Sequence, residues 1–409
     1  MAILVMHKSI IFRVFLRRAL LGAMTVSCFP VNSGLAGEGD VLRPFFIASM
    51  GYDSNLFRFA NDDEAAAVGS NQLSPLFGIT SIDTVTYQRY GAGIDVDLKK
   101  GRQQVRARVA ADKTLYSKFA KLLDYSGRDT NVEWKWQAGN RWSGQLTASQ
   151  KRNLAPYTNN SNNIIESNLR TDDQQVFQAE YWFHPDWRAR ARLSHATTEY
   201  SAQKTRDSSR NSATFGLYRL GQTIETMGVE ISNVDGSFDS NAARDYREQG
   251  LRFIGVWNYS GKTRLNGRLG YIQRSRDEEV ESDFSGAEWR LEARWQPTGK
   301  TQIEAAYFRT LRANDEVGTD YEVADGVNLT ATWLVMPKTR LISEISREHI
   351  DYQGIVRKEK QTSIGLSASY EAWAGGEIAA GVKHTKRESP EALRGFDSNT
   401  LFISANLKF

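Results

Sequence analysis

Thr400-Leu401-Phe402-Ile403-Ser404-Ala405-Asn406-Leu407-Lys408-Phe409 alternates along its length. Leu401, Ile403, Ala405, Leu407 and Phe409 fall on one face of an extended chain, and Ser404, Asn406 and Lys408 fall on the other. Side chains of a strand point alternately to its two faces, so a period of two with apolar residues on one side predicts a half-buried β-strand. Chain ends usually fray unless a neighbour ties them down. Two readings of this strand follow: the edge of a soluble sheet, or one stave of a membrane barrel.

The upstream sequence repeats the pattern many times. Phe45 to Asp53 opens the series, and in the next segment Ala92, Ile94, Val96 and Leu98 oppose Gly91, Gly93, Asp95 and Asp97. Val132, Trp134, Trp136 and Ala138 oppose Asn131, Glu133, Lys135 and Gln137; Trp187, Ala189, Ala191 and Leu193 oppose Arg188, Arg190 and Arg192. Gly, Pro and Asn mark tight turns near Gly101, Gly139, Pro185, Gly221, Gly261, Gly299, Pro337 and Gly375, the residues that turns favour. Polar connections lie between them at 117–124, 154–171, 201–210, 236–245, 276–283, 313–321, 349–356 and 387–396. Alternating short turns and longer loops is the pattern of outer-membrane barrels, with short turns in the periplasm.

The fold expected is therefore all-β: a transmembrane antiparallel up-and-down β-barrel of about 18 strands. Arg210 to Leu220 and Thr339 to Arg347 are the weakest segments, and sixteen strands is the alternative. In lipid every backbone polar group needs a partner, so the first strand should pair with Thr400 to Phe409. No apolar run in the body of the chain reaches the roughly 18 residues of a membrane helix. Trp136, Trp142, Trp182, Trp187, Trp257, Trp295, Trp333 and Trp373 fall beside the tight turns, where indoles favour a membrane interface. Trp134 and Trp289 sit further in.

Lys8, Arg13, Arg17 and Arg18 precede an apolar run from Ala19 to Val31 and the small-residue site Gly34-Leu35-Ala36, the pattern of a secretory signal peptide. Residues 1–36 are read as that signal and 37–409 as the barrel. Taking four basic residues from the 52 leaves 48, equal to the 48 acidic ones. A neutral chain lacks the basic footprint of a nucleic-acid binder. Cys28, the sole cysteine, leaves with the signal, so disulfides contribute nothing. The location expected is the Gram-negative outer membrane, with its lipid and the barrel assembly machinery as partners.

His184, His195, His349 and His384 are scattered, with no metal-ligand spacing and no triad geometry. No enzyme activity, metal or cofactor is expected. If apolar residues face lipid, Arg106, Arg108, Arg188, Arg190, Arg192, Arg252, Arg264, Arg268, Arg290 and Arg294 face inward. Asp95, Asp97, Glu133, Glu180, Glu230, Glu288, Glu292 and Glu304 join them. Such charges either pair across strands or line a hydrated pore. Gly216, Gly365 and Gly381 are read as inward positions where bulk would narrow it. Asn61 is placed to cap a short helix opening with Asp62, Asp63 and Glu64, which either folds inward as a constriction or stays an exposed loop.

Gly51-Tyr52-Asp53-Ser54-Asn55-Leu56-Phe57-Arg58 and Tyr87-Gln88-Arg89-Tyr90-Gly91-Ala92-Gly93 resemble stretches of the family of outer-membrane β-barrel porins that includes the exopolysaccharide-operon protein EpsL. Phe409 resembles the terminal aromatic with which outer-membrane barrels close, which implies an assembly signal. The family resemblance implies a channel in exopolysaccharide synthesis or export, with polysaccharide and periplasmic or inner-membrane export machinery as partners. It transfers no binding residue. A general diffusion porin for small hydrophilic solutes and a structural or scaffold barrel are the alternatives.

Overall fold

A computed structural model describes residues 41–157, 165–222, 224–276, 283–313, 321–391 and 393–409. The signal-peptide segment lies outside the described residues. The strands of the first half are β1 (Leu42–Asp53), β2 (Val85–Lys100), β3 (Gln103–Tyr116), β4 (Tyr125–Ala138), β5 (Trp142–Leu154), β6 (Leu169–His184), β7 (Trp187–Tyr200), β8 (Ser208–Leu220) and β9 (Ile224–Phe238). Those of the second half are β10 (Tyr246–Ser260), β11 (Thr263–Ser275), β12 (Phe284–Thr298), β13 (Thr301–Ala313), β14 (Tyr321–Met336), β15 (Thr339–Gln353), β16 (Arg357–Trp373), β17 (Gly376–Glu388) and β18 (Phe396–Lys408).

Each strand pairs antiparallel with its sequence neighbours, and β1 pairs with β18 from Phe45 against Lys408 to Asp53 against Thr400. One 18-stranded sheet thus closes on itself, which leaves no edge to present unpaired backbone groups to lipid. Eighteen is the count rather than sixteen, because both weak segments are full strands, β8 and β15.

The register gives every strand an outward and an inward face. Trp295, Leu291 and Trp289 on β12 point outward with Leu265 and Leu269 of β11 and Ile303 and Tyr307 of β13, while Arg290 shares the inward face with Arg268 and Phe308. Outward apolar residues such as Leu193, Phe215, Ile231, Phe253 and Leu366 are left uncovered by protein. On most strands they occupy about four successive outward positions from the tight turn, roughly 20 Å of strand, forming an apolar band of the kind such barrels present to lipid.

The tryptophans border this band. Trp142, Trp257, Trp295 and Trp333 lie outward at the turn end. Trp289 packs beside Tyr307, ring centres 5.9 Å apart, with Arg309 stacked 5.5 Å from the indole, at the opposite border. Trp182, which lies beside a tight turn and is read from the sequence as inward together with Phe308, has Arg188 as its register partner and faces inward, with the guanidinium 5.5 Å from its ring.

At the other rim the strands run past the apolar band, so several expected loops are shorter. The largest difference is at 349–356, where His349, Ile350, Asp351 and Tyr352 belong to β15 and only residues 354–356 connect to β16. Their alternation continues, with Ile350 and Tyr352 buried and Asp351 bonded outward to Lys358 at 3.0 Å. Above the band the outward face meets water, so a polar outward face no longer signals a loop. Most of the connections at 276–283 and 313–321 lie outside the described residues.

The connection after β1 forms helix α1 (Asp62–Ser70). Asn61 accepts the Glu64 N–H at 2.9 Å, and Glu64 returns to the Ala60 N–H at 2.6 Å, a reciprocal cap of the first turn. The helix is neither a loose loop nor an isolated plug. Ala65, Phe57, Phe59 and Leu76 join Leu122 and Leu123 of α2 (Ala120–Leu123) and Ile165 of the next long connection in one buried cluster at the rim.

Candidate functional site: the inner face of the barrel

The register places every charge expected inward on a single face. Most are brought into pairs. Arg106 lies 3.4 Å from Asp97 and 3.7 Å from Glu133, and Arg108 lies 3.3 Å from Asp95. Glu180 takes both Arg188 at 3.1 Å and Arg190 at 2.7 Å. Arg252 bonds Glu288, Arg264 lies 3.0 Å from Glu225, Arg290 2.6 Å from Glu292, and Arg294 2.7 Å from Glu304. Cross-strand pairing of this kind lets a wall carry many charges without net cost from repulsion.

Arg192 and Arg268 differ. Neither makes a hydrogen bond or ion pair with another described residue, and both are exposed although they face inward. Arg268 lies within electrostatic reach of two further cations, Arg252 and Arg192, and of two carboxylates, Glu288 and Glu230. An inward side chain exposed to solvent requires open interior space at that level. Round the barrel, the inward positions of β16 to β18 include the small residues Ser363, Gly365, Ser367, Ser369, Thr400 and Ser404, with Lys383 and Phe402 among them.

Toward the long-loop rim the inner wall is more closely packed. Arg274 lies between the rings of Tyr246 and Tyr321, at 4.1 and 5.8 Å, and bonds Glu248 at 2.7 Å. Arg357 stacks on Tyr352 at 3.7 Å; nearer the tight-turn end, Arg108 stacks on Phe45 at 4.0 Å. Guanidinium planes favour aromatic faces, and more so when desolvated. Phe308 is buried near Arg290 and Arg312.

The inward glycines have a second role. Tyr218 occupies the space above Gly216, and Phe402 that above Gly381, whereas a Cβ at Gly365 would meet nothing closer than 3.7 Å. Only Gly365 is thus a position where added bulk would enter open space; at the other two it would displace a ring.

The two stretches that carry the family resemblance meet at the barrel seam. Gly51 is the register partner of Tyr87, whose ring lies over it, and Phe45 lies over Gly93 in the opposite sense. Asp53 receives two bonds of 2.9 Å from the Arg58 guanidinium and one of 2.8 Å from the Ser398 hydroxyl. The Asn55 amide donates to the Phe59 carbonyl at 2.8 Å and to that of Asp397 at 3.0 Å. Arg58 holds a left-handed φ of 61°, a conformation non-glycine residues adopt only when their surroundings fix it. The motif is a clasp between β1 and β18; sequence reading saw only turn formers in Asp53 and Asn55, because their partners lie more than 300 residues away.

His195 and His384 face outward beside Asn211 and Asn399, at 2.8 and 3.1 Å. Among the described residues no group of histidine, cysteine and carboxylate side chains could hold a metal ion.

The sequence matches no curated protein. Solved structures with a similar arrangement include OccAB3 of Acinetobacter baumannii, at 10% identity over 90% of this chain and 99% of that one, with a TM-score of 0.46. Another is the outer membrane protein OpdK of Pseudomonas aeruginosa, at 10% identity over the same shares, with a TM-score of 0.48. Residues 257–409 match the family described as "Putative beta-barrel porin 2", and the described chain forms a closed 18-stranded antiparallel barrel.

Proposed function

We propose that the barrel is a passive diffusion channel for small hydrophilic solutes that favours anions. The observation that carries this reading is the pair Arg192 and Arg268, inward, exposed and without a carboxylate partner among the described residues. Two guanidinium groups in a space bounded by low-dielectric walls raise the local concentration of anions. The small Ser, Thr and Gly positions of β16 to β18, elsewhere on the inner wall, add little bulk to it. A barrel of this size encloses an aqueous channel unless something fills it.

Export of exopolysaccharide is the second reading, favoured by the resemblance of Gly51 to Arg58 and by Phe402, which faces inward and is 40% exposed, as a stacking surface for sugar rings. Phe308 does not support it, being buried. Reversal potentials in a KCl gradient across a planar bilayer test the leading reading. The parent protein is expected to pass chloride in preference to potassium, and Arg192→Gln with Arg268→Gln to lose most of that preference at similar conductance. Cation preference in the parent, or unchanged selectivity in the variant, removes the anion assignment. A deletion strain that makes polymer but retains it in the periplasm would favour export instead.

A further inference from the structure

On the outward face of β3, β4 and β5, just past the apolar band, Lys113, Arg128 and Arg152 form a cationic cluster. Arg128 and Arg152 are direct cross-strand partners. Lys113 pairs with Ser126, two residues along from Arg128 on the same face. Like charges opposed in an antiparallel pair repel each other. None of the three makes a hydrogen bond or ion pair with a described residue, and residues 158–164 beyond β5 contain no acidic side chain.

The same belt on β15 to β17 is built differently. There Lys358 lies 3.0 Å from Asp351, Lys360 3.4 Å and Lys386 3.1 Å from Glu388. Basic residues are thus ion-paired on one arc of the belt, whereas on the other the outward carboxylate of Asp173 on β6 is bonded to Gln150 at 2.9 Å and not to the three cations. Below these three cations, toward the tight turns, lie the uncovered apolar side chains of Val109 and Leu146.

We propose that Lys113, Arg128 and Arg152 bind the phosphate of a lipid headgroup in the outer leaflet, its acyl chains running down over Val109 and Leu146. Charge complementarity selects an anion, and the level of the cluster at the edge of the apolar band selects one attached to a lipid. A guanidinium pair and an ammonium supply the charge-assisted hydrogen bonds that phosphate oxygens accept. This site is separate from the lumen and does not depend on what passes through it.

The test is native mass spectrometry of the full chain in detergent with bisphosphorylated lipid A, its dephosphorylated form, and inorganic phosphate. The parent is expected to retain the bisphosphorylated lipid. Replacing Lys113, Arg128 and Arg152 with Gln should weaken retention by about tenfold or more, while Lys358→Gln with Lys360→Gln should leave it unchanged. Heat-modifiable migration confirms that each barrel is folded, and Arg128→Gln alone is read in the same way if the triple variant is not. Equal retention by the triple variant overturns the site. So does equal retention of the dephosphorylated lipid, or displacement of the lipid by inorganic phosphate at a similar concentration, which would make it a site for a free anion.

Discussion

Asp53 shows how much one side chain holds in this molecule. Its carboxylate, nearly buried, accepts bonds from Arg58 and Ser398 at the point where the sheet closes. Removing one member of a buried ion pair leaves the other charge uncompensated and costs about 3 kcal/mol or more. Exposed pairs are worth about 0 to 1 kcal/mol, and Arg264 with Glu225 is one, both being more than a third exposed. Asp53→Asn should therefore lower the temperature at which the folded band disappears in gel-shift unfolding far more than Glu225→Gln. Similar losses from the two would mean that the seam network carries no special stability. At this scale the sequence was least legible. Loops at 201–207 and 239–245 close alike: an aromatic, five residues, then Arg-Asp. The aspartates take the N–H groups of Tyr200 and Phe238 at 2.6 and 2.8 Å. The spacing stands in the sequence, but nothing in the periodicity points to it.

Strands were the legible element. Period two divides each strand into two faces, and a one-residue slip would turn every apolar side chain of β12 to the opposite one. Strand ends were legible only at the tight turns, where glycine or proline stops the pattern. At the far rim the outward face is wet, so β15 runs to Gln353 through residues that look like loop. The face assignment predicts unequal effects from adjacent substitutions. Leu291 is outward and uncovered, whereas Arg290 pairs inward with Glu292. Leu291→Arg should cost about 2 to 4 kcal/mol of insertion energy, as Arg on the lipid face of a barrel does, and Arg290→Gln much less. Fractionation with a heat-modifiability gel measures both. Equal damage would reverse the assignment of faces.

For the whole molecule, closure and hydration are two separate matters. Closure follows from the need to satisfy every backbone group in lipid, and the pairing of β1 with β18 meets it. Hydration follows from which inward side chains are free to meet water, and the sequence could not separate Arg192 and Arg268 from the paired arginines beside them. Nor could it show that rings cover Gly216 and Gly381 while Gly365 stays open. The claim on which the rest stands is that the polar face of the sheet lines a hydrated passage through the membrane. Single cysteines at Ser367, inward on β16, and Leu366, outward beside it, in a Cys28→Ala background, test it most directly. In intact cells a charged, membrane-impermeant thiol reagent should label Ser367→Cys and leave Leu366→Cys unlabelled. Labelling at Leu366→Cys alone, or at neither position, would contradict the account.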